Sequence, residues 1–300
     1  MRARSLMWAW LLLLGLVLAP AAWADAALWR EVEALRNDGA YTDASAFRRA
    51  QVRALVADLV RSLPAGSIPA GAKRRAAEAG LRLEETEGWI VLGSQPDQAD
   101  GFFALRRGTG GPPLVLQAPH AWYDKGTGPL ACALFEGGVG RALLVNTAQR
   151  NSPSRGDLSV DSETRGADVA HRPESVYQAA TLGVADALSD PLVVQLHGFG
   201  GGHGAFSAVL SEGAAIQPAS DLQMARAALA PLLTRWGGLA TGAEVPELSG
   251  RGNVQSQALS GHARFLHLEL SLDARTALLA DPALAAELGR TLARLAERRP

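Results

Sequence analysis

Apolar residues recur at helical spacing early in the chain and form short continuous runs later. Residues 25–83 are rich in Ala, Leu, Arg and Glu, and Val and Leu between Val52 and Val60 follow the i, i+3, i+4 pattern of a helix. Pro64 and Pro69 interrupt that pattern. This region is therefore predicted to be a small segment of two or three helices.

Beyond Glu84 the pattern changes to short apolar runs that predict strands at 89–92, 102–105, 114–117, 142–145, 192–196 and 265–270. Helical patterns lie between or after them, at 173–188, 221–230 and 273–297. Strands that alternate with helices predict an α/β fold, with a mainly parallel or mixed sheet and helices on both faces. Residues 84–300 are expected to form this domain, after the helical segment 25–83.

The first residues have the pattern of a secretory signal peptide. Arg2 and Arg4 precede the apolar residues 6–19, and a small-residue site ends at Ala24. Cleavage after Ala24 is expected, giving a periplasmic or secreted protein. The apolar run is shorter than the roughly 20 residues of a membrane span, so no stable membrane insertion is expected after cleavage. The single cysteine, Cys132, offers neither a disulfide nor a lipid attachment site near the new N-terminus.

Composition narrows the class of protein further. The 300 residues carry a formal net charge of -1, which argues against a nucleic-acid partner. Hydrophobic residues make up 48% of the chain, enough for a sizeable core. A globular protein that acts on a small molecule or peptide is the expectation.

Two histidines lie directly after predicted strands. His120 follows the run 114–117, and His197 follows the run 192–196. In open α/β sheets, ligands bind at the ends of the strands. A catalytic zinc ion takes three protein ligands, commonly imidazoles and a carboxylate, so His120, His197 and nearby Asp124 are the candidates. As an alternative, Asp124 caps the following turn.

A lone carboxylate, Glu269, lies within the apolar strand predicted at 265–270. Burying a carboxylate there is unfavourable unless it is paired or functional, and it is the candidate general base. The structural alternative is an ion pair with Arg264 or Arg275.

Several short motifs occur in an order that resembles the zinc-carboxypeptidase-like superfamily, near its N-formylglutamate amidohydrolase and poly-γ-glutamate hydrolase branches. They span roughly residues 115–275 and are Ala118-Pro119-His120, Asn146-Thr147, Asp168-Val169-Ala170-His171-Arg172, Gln195-Leu196-His197-Gly198 and the strand residues 266–271. The resemblance implies one zinc ion bound by His120 and His197, with Glu269 as the general base.

The chain departs from the superfamily at the third ligand. The usual glutamate lies three residues after the first histidine, where this chain has Tyr123. Asp124 is the favoured substitute, with Glu136 and His203 as alternatives.

The resemblance also implies a site for a carboxylate-bearing substrate. Arg172 would bind that carboxylate, His171 would serve as a ligand or oxyanion donor, and Asn146 belongs to the same candidate set. The expected activity is zinc-dependent hydrolysis of amide or peptide bonds in peptides, cell-wall peptides or N-acyl amino acids.

Two other classes of function remain open at this stage. The glycine-rich run after His197 is similar to the oxyanion turn of serine α/β-hydrolases, although the chain has no G-x-S-x-G elbow. A non-catalytic periplasmic metal- or peptide-binding protein would use the same ligands. The exact substrate and the oligomeric state stay open.

Overall fold

The structure is a computed structural model that describes residues 26–95, 97–153, 166–203, 205–215 and 219–298. The expected signal peptide, residues 1–24, and residues 154–165 lie outside the described residues. Among the described residues, no helix is long and apolar enough to cross a membrane.

Three helices precede the first strand: α1 (Ala27–Ala34), α2 (Ala46–Ser62) and α3 (Ala72–Glu78). Ser45 caps α2 by accepting a hydrogen bond from the backbone N–H of Arg48. The later helices are α4 (Thr127–Glu136), α5 (Val176–Ala185), α6 (Ala219–Leu233), α7 (Val254–Leu259), α8 (Leu272–Ala280) and α9 (Pro282–Glu297).

The strands form one mixed sheet in the order β1-β2-β3-β5-β4-β6-β9-β7-β8. Their bounds are β1 (Leu81–Glu85), β2 (Trp89–Ser94), β3 (Phe102–Arg106), β4 (Leu114–Ala118), β5 (Ala142–Val145), β6 (Leu192–Phe199), β7 (Phe206–Ser211), β8 (Gly238–Thr241) and β9 (Arg264–Ser271). The central strands β5, β4, β6 and β9 are parallel, and antiparallel strands flank them on both sides.

Helices cover both faces of the sheet. One apolar cluster joins α1, α4, α6, α8 and α9 to one face, and a second joins α2, α3, α5 and α7 to the other. Every residue of β4 and β5 is buried, as expected for strands covered on both sides. The predicted α/β class, with a mixed sheet and a helical N-terminal segment, is therefore confirmed.

Element boundaries differ from the sequence-based expectation in several places. Strand β6 runs to Phe199, so His197 lies within the strand rather than after it. Strand β1 begins at Leu81, inside the segment 25–83 that was expected to be helical. The helix expected over 273–297 is two helices, because Asp281 caps α9 and Pro282 occupies its first turn.

The order of the central strands creates a crevice. From β4 the chain continues to β5 on one side, and later reaches β6 on the other side of β4. Such a topological switch point leaves an open crevice at the carboxyl ends of the strands, where α/β proteins bind ligands.

Candidate active site

A pocket of about 540 Å³ opens at the carboxyl ends of β4, β6 and β9. His120, Asp124, His197 and Glu269, four of the predicted site residues, all line it. Segments far apart in sequence reach the pocket because their strands are adjacent in the parallel part of the sheet.

His120, Asp124 and His197 form one compact group. The backbone N–H of Asp124 donates to the carbonyl of His120 at 2.8 Å, which closes a turn and places the two side chains on one side of it. Oδ2 of Asp124 lies 3.4 Å from Nδ1 of His120 and 3.3 Å from Nδ1 of His197. Tyr123, which stands between the two in sequence, is 46% exposed.

The opposite nitrogens of both rings are hydrogen-bonded to oxygen acceptors. Nε2 of His120 lies 2.8 Å from Oδ1 of Asp168, and Nε2 of His197 lies 2.7 Å from Oε1 of Gln195. Both rings therefore hold a proton at Nε2 and turn the Nδ1 lone pair toward Asp124.

This arrangement fits a metal ion. Nδ1 of His120 is buried and has no hydrogen-bond partner in the part of the chain that the structure describes. Two lone pairs that face a carboxylate oxygen repel it unless a proton or a cation lies between them. The three candidate ligand atoms lie within 4.8 Å of one another, and two imidazoles with one carboxylate are a ligand set that zinc accepts.

A network of buried amides fixes the orientation of Gln195. Its Nε2 donates to Oε1 of Gln117 at 2.8 Å and to Oε1 of Gln255 at 3.3 Å, and Asn253 donates to its Oε1. Gln117 in turn donates to the hydroxyl of Thr181 at 2.8 Å. The carboxamide oxygen must therefore face His197, since the amide nitrogen is already used on acceptors.

Asp168 orients the ring of His120 in the same way, by accepting a hydrogen bond from its Nε2. Its carboxylate also accepts from Nδ1 of His171 at 3.0 Å and from Nε of Arg150 at 2.8 Å. Burial raises the pKa of Asp168, but its contacts with His120, His171 and Arg150 outweigh burial and hold that pKa well below the ordinary range.

Asp124 and His197 have the charge states that metal binding requires, whereas the pKa of His120 is shifted in the opposite direction. Burial raises the pKa of Asp124, but the two imidazoles outweigh burial and hold it below its ordinary value. Burial lowers the pKa of His197 to about 4. For His120 burial also lowers the pKa, but Asp124 and Asp168 outweigh it, so the net shift is upward. At neutral pH Asp124 is ionised and His197 is neutral.

Glu269 has a different environment in the same pocket. It pairs with His197 in the β6–β9 register, and its Oε2 is buried and finds no hydrogen-bond partner among the residues described. Burial, and then the charge of Asp124, raise the pKa of Glu269 to about 8. Its other oxygen lies 4.0 Å from Nε2 of His267.

The alternative of a structural ion pair to Glu269 finds no support among the described residues. Arg275 donates to the carbonyls of Lys125 at 2.8 Å and Phe199 at 3.1 Å. Arg264 donates to the carbonyls of Leu295 and Ala296, at the other end of β9.

The predicted substrate-binding residues lie in different places. His171 lines the pocket, but Arg172 is not among the lining residues and forms an ion pair with Asp43 at 2.6 Å. Asn146 is fully buried and donates to the carbonyls of Pro119 and Ala167, so it supports the chain around His120. The side chains of Arg172 and Asn146 therefore contact other parts of the protein and do not line the pocket.

The alternative third ligands lie apart from the two histidines. Oε1 of Glu136 accepts a hydrogen bond from the backbone of Leu28 at 2.6 Å. Nδ1 of His203 lies 3.5 Å from Glu247, and His203 does not line the pocket.

Sequence reasoning missed the roles of Arg150, Asp168 and Gln195. Gln195 carried a signal, because it is a polar residue in an apolar strand and lies two positions before His197, on the same face. Asp168 occurs in a quoted motif without an assigned role. Arg150 had no signal, since it follows β5 in an irregular segment.

The chain is similar over part of its length to several proteins of known structure. No family model and no curated protein matches the chain. An N-formylglutamate amidohydrolase from Ralstonia eutropha JMP134 is 16% identical with a TM-score of 0.44, covering 66% of this chain and 97% of that one. A bacteriophage poly-gamma-glutamate hydrolase is 14% identical with a TM-score of 0.37, covering 66% and 88%.

A succinylglutamate desuccinylase from Chromobacterium violaceum is 11% identical with a TM-score of 0.43, covering 79% of this chain and 74% of that one. The first two proteins carry the names of the branches that the sequence motifs resemble. Because identity and TM-score are both low, we base the function on the pocket's own residues.

Proposed function

We propose that this chain is a zinc-dependent hydrolase of amide or peptide bonds in a carboxylate-bearing substrate. His120, Asp124 and His197 would hold one zinc ion, and Glu269 would act as the general base. The observation that carries the proposal is the pair of imidazole lone pairs directed at Asp124, beside a buried carboxylate with an unpartnered oxygen.

The chemistry follows from the positions of these groups. When bound, zinc polarises the substrate carbonyl and makes a water molecule more acidic. Because the positive charge of a bound ion would lower the pKa of Glu269 from its value of about 8 in the metal-free protein, its ionised carboxylate would take a proton from the attacking water, whose oxygen forms the new bond to the carbonyl carbon. The same carboxyl group then gives the proton to the leaving nitrogen as the C–N bond breaks. Arg150 lines the pocket and supplies positive charge toward the developing oxyanion.

The serine-hydrolase alternative is less consistent with this pocket. His120 and His197 direct their ring nitrogens at Asp168, Gln195 and Asp124, and neither ring is hydrogen-bonded to a serine hydroxyl of the described residues. A purely metal-binding protein does not explain why Glu269 is buried beside the candidate ligands with no arginine or lysine paired to it among the described residues.

Export is part of the proposal and rests on the sequence of residues 1–24. It makes peptides outside the cytoplasm, including cell-wall peptides, the candidate substrates. N-terminal sequencing of the protein recovered from the periplasm or medium is expected to start at Asp25. Recovery of the intact N-terminus in the cytoplasm would contradict export without affecting the site.

The first experiment is elemental analysis of protein purified without chelator, with assays on N-acyl amino acids and short peptides. About one zinc per chain is expected, together with amide hydrolysis. Glu269→Gln is expected to keep the metal and to lower kcat by about 10²- to 10⁴-fold, the usual contribution of a general base. Full activity in Glu269→Gln, or the absence of zinc uptake, would contradict the proposal.

A further inference from the structure

The segment 246–253 forms one wall of the pocket, and all eight of its residues line it. We call this segment the roof loop. It begins with the short 3-10 helix Pro246–Leu248 and leads into α7. Arg251 lies near its centre and has an exposed side chain.

Two glycines let the roof loop lie directly on two imidazole rings. Gly250 has φ of +63°, and a Cβ there would lie 2.7 Å from Cδ2 of His267. A Cβ at Gly252 would lie 3.1 Å from Cδ2 of His171. Only glycine permits this approach at position 250, so the backbone around Arg251 is held against both rings.

Hydrogen bonds anchor the loop on either side of Arg251. The hydroxyl of Ser211 donates to the carbonyl of Ser249 at 2.5 Å. The side chain of Asn253 accepts from the backbone N–H of Ser256 at 2.9 Å, which caps α7, and also donates to Gln195. Arg251 is therefore presented at the pocket from a fixed backbone.

Arg251 differs from the other arginines near the pocket in its partners. Arg150 is held by Asp168 at 2.8 Å, and Arg172 is held by Asp43 at 2.6 Å. The acidic residue of the roof loop, Glu247, lies 3.5 Å from His203. Within the described ranges, Arg251 forms no ion pair, which leaves its guanidinium available to a ligand.

We infer that Arg251 is the residue that binds the free carboxylate of the substrate, in place of Arg172. A guanidinium presents a planar set of donors that matches both oxygens of a carboxylate. This inference rests on the proposed function, because it assumes that the pocket holds the reacting amide. It makes the preferred substrates those with a carboxylate at the pocket mouth.

The test measures binding separately from turnover. N-acetyl dipeptides of alanine, glutamate and lysine are titrated by calorimetry into zinc-loaded Glu269→Gln protein, as free acids and as C-terminal amides. For at least one sequence the acid is expected to bind about fivefold more tightly than the amide, the size of a partly exposed charged contact. Arg251→Ala is expected to abolish that preference, and Arg251→Lys to retain part of it.

Arg290→Ala is the matched control, since Arg290 is an exposed arginine on α9 outside the pocket lining. It should leave the preference unchanged. Equal binding of acids and amides across the panel, or a preference that persists in Arg251→Ala, would overturn the inference. An acid that binds through Arg251 but is not hydrolysed by the protein with Glu269 intact would contradict the proposed function alone.

Discussion

Asp124 and Glu269 are two carboxylates in one pocket whose pKa values shift in opposite directions. Both are buried, and in each case burial is the largest single contribution and raises the pKa. Asp124 faces two imidazole nitrogens, which more than offset burial, whereas Glu269 has one oxygen without a partner. The neighbours rather than the depth of burial therefore separate a candidate metal ligand from a candidate base.

The largest effect is expected from removing the carboxylate of Asp124, the candidate metal ligand. Asp124→Asn removes the carboxylate that lies between the two imidazoles and should release the metal. Activity should fall by about three orders of magnitude or more, because the Lewis acid is lost with it. Elemental analysis and steady-state kinetics measure both effects. Asp97→Asn, at an exposed aspartate outside the pocket lining, is the control and should match the unmodified protein.

A smaller effect is expected from removing the hydrogen-bond acceptor that orients His197. Gln195→Met deletes the oxygen that accepts from Nε2 of His197, so the ring can rotate or change tautomer. Zinc affinity should fall by about 10- to 100-fold, the usual cost of losing such a partner. Competition with a chelator measures the dissociation constant. Gln257→Met, at an exposed position on α7, should not alter it, and unchanged affinity in Gln195→Met would rule out the positioning role.

The pH dependence of stability sharpens the comparison between the two carboxylates. In chelator-treated protein, folded Glu269 keeps its proton up to about pH 8, whereas the unfolded chain loses it near pH 4.5. The folded state then binds more protons in this window, so stability falls as pH rises from about 4.5 to about 8. Urea unfolding should show this loss in the unmodified protein and not in Glu269→Gln.

Asp124 should show the reverse dependence in the same measurements. Its folded pKa is depressed, so its contribution to stability is complete above its ordinary pKa of 3.8 and disappears as pH falls below that value. The difference in unfolding free energy between the unmodified protein and Asp124→Asn should therefore shrink in acid. A difference that grows in acid would contradict the environment described for Asp124.

The smallest effect is expected at Arg172. Because its guanidinium is paired with Asp43 and lies outside the pocket lining, Arg172→Ala should change KM by no more than about twofold, apart from any loss of stability. Steady-state kinetics on the peptide acids measure this. A large rise in KM for acids alone would restore the role that the sequence motif suggested and would argue against Arg251.

Strong local patterns made much of the fold predictable. The runs of β4, β6 and β9 were predictable because burial on both faces leaves few polar residues in them, and α2 was predictable because its buried residues recur at helical spacing. The edge strands β1 and β8, and β7 beside β8, were not predicted. Strand β1 is largely exposed, so its residues show no apolar run.

The sequence by itself determined which residues could take part in the site. It placed His120 after a strand, His197 at the end of a predicted strand that in the structure continues to Phe199, and Glu269 alone within an apolar strand. These are properties of single segments, and local composition is enough to reveal them.

Only the tertiary structure decided how these groups are used. A backbone turn brings Asp124 to His120, and an amide network orients His197. Arg172 pairs with Asp43, far away in sequence. No local sequence pattern specifies these contacts. The same holds for the roof loop, which reaches His171 and His267 through close contacts at two glycines. Hydrogen-bond partners and pKa shifts depend on distances between side chains, and those distances exist only once the sheet has assembled.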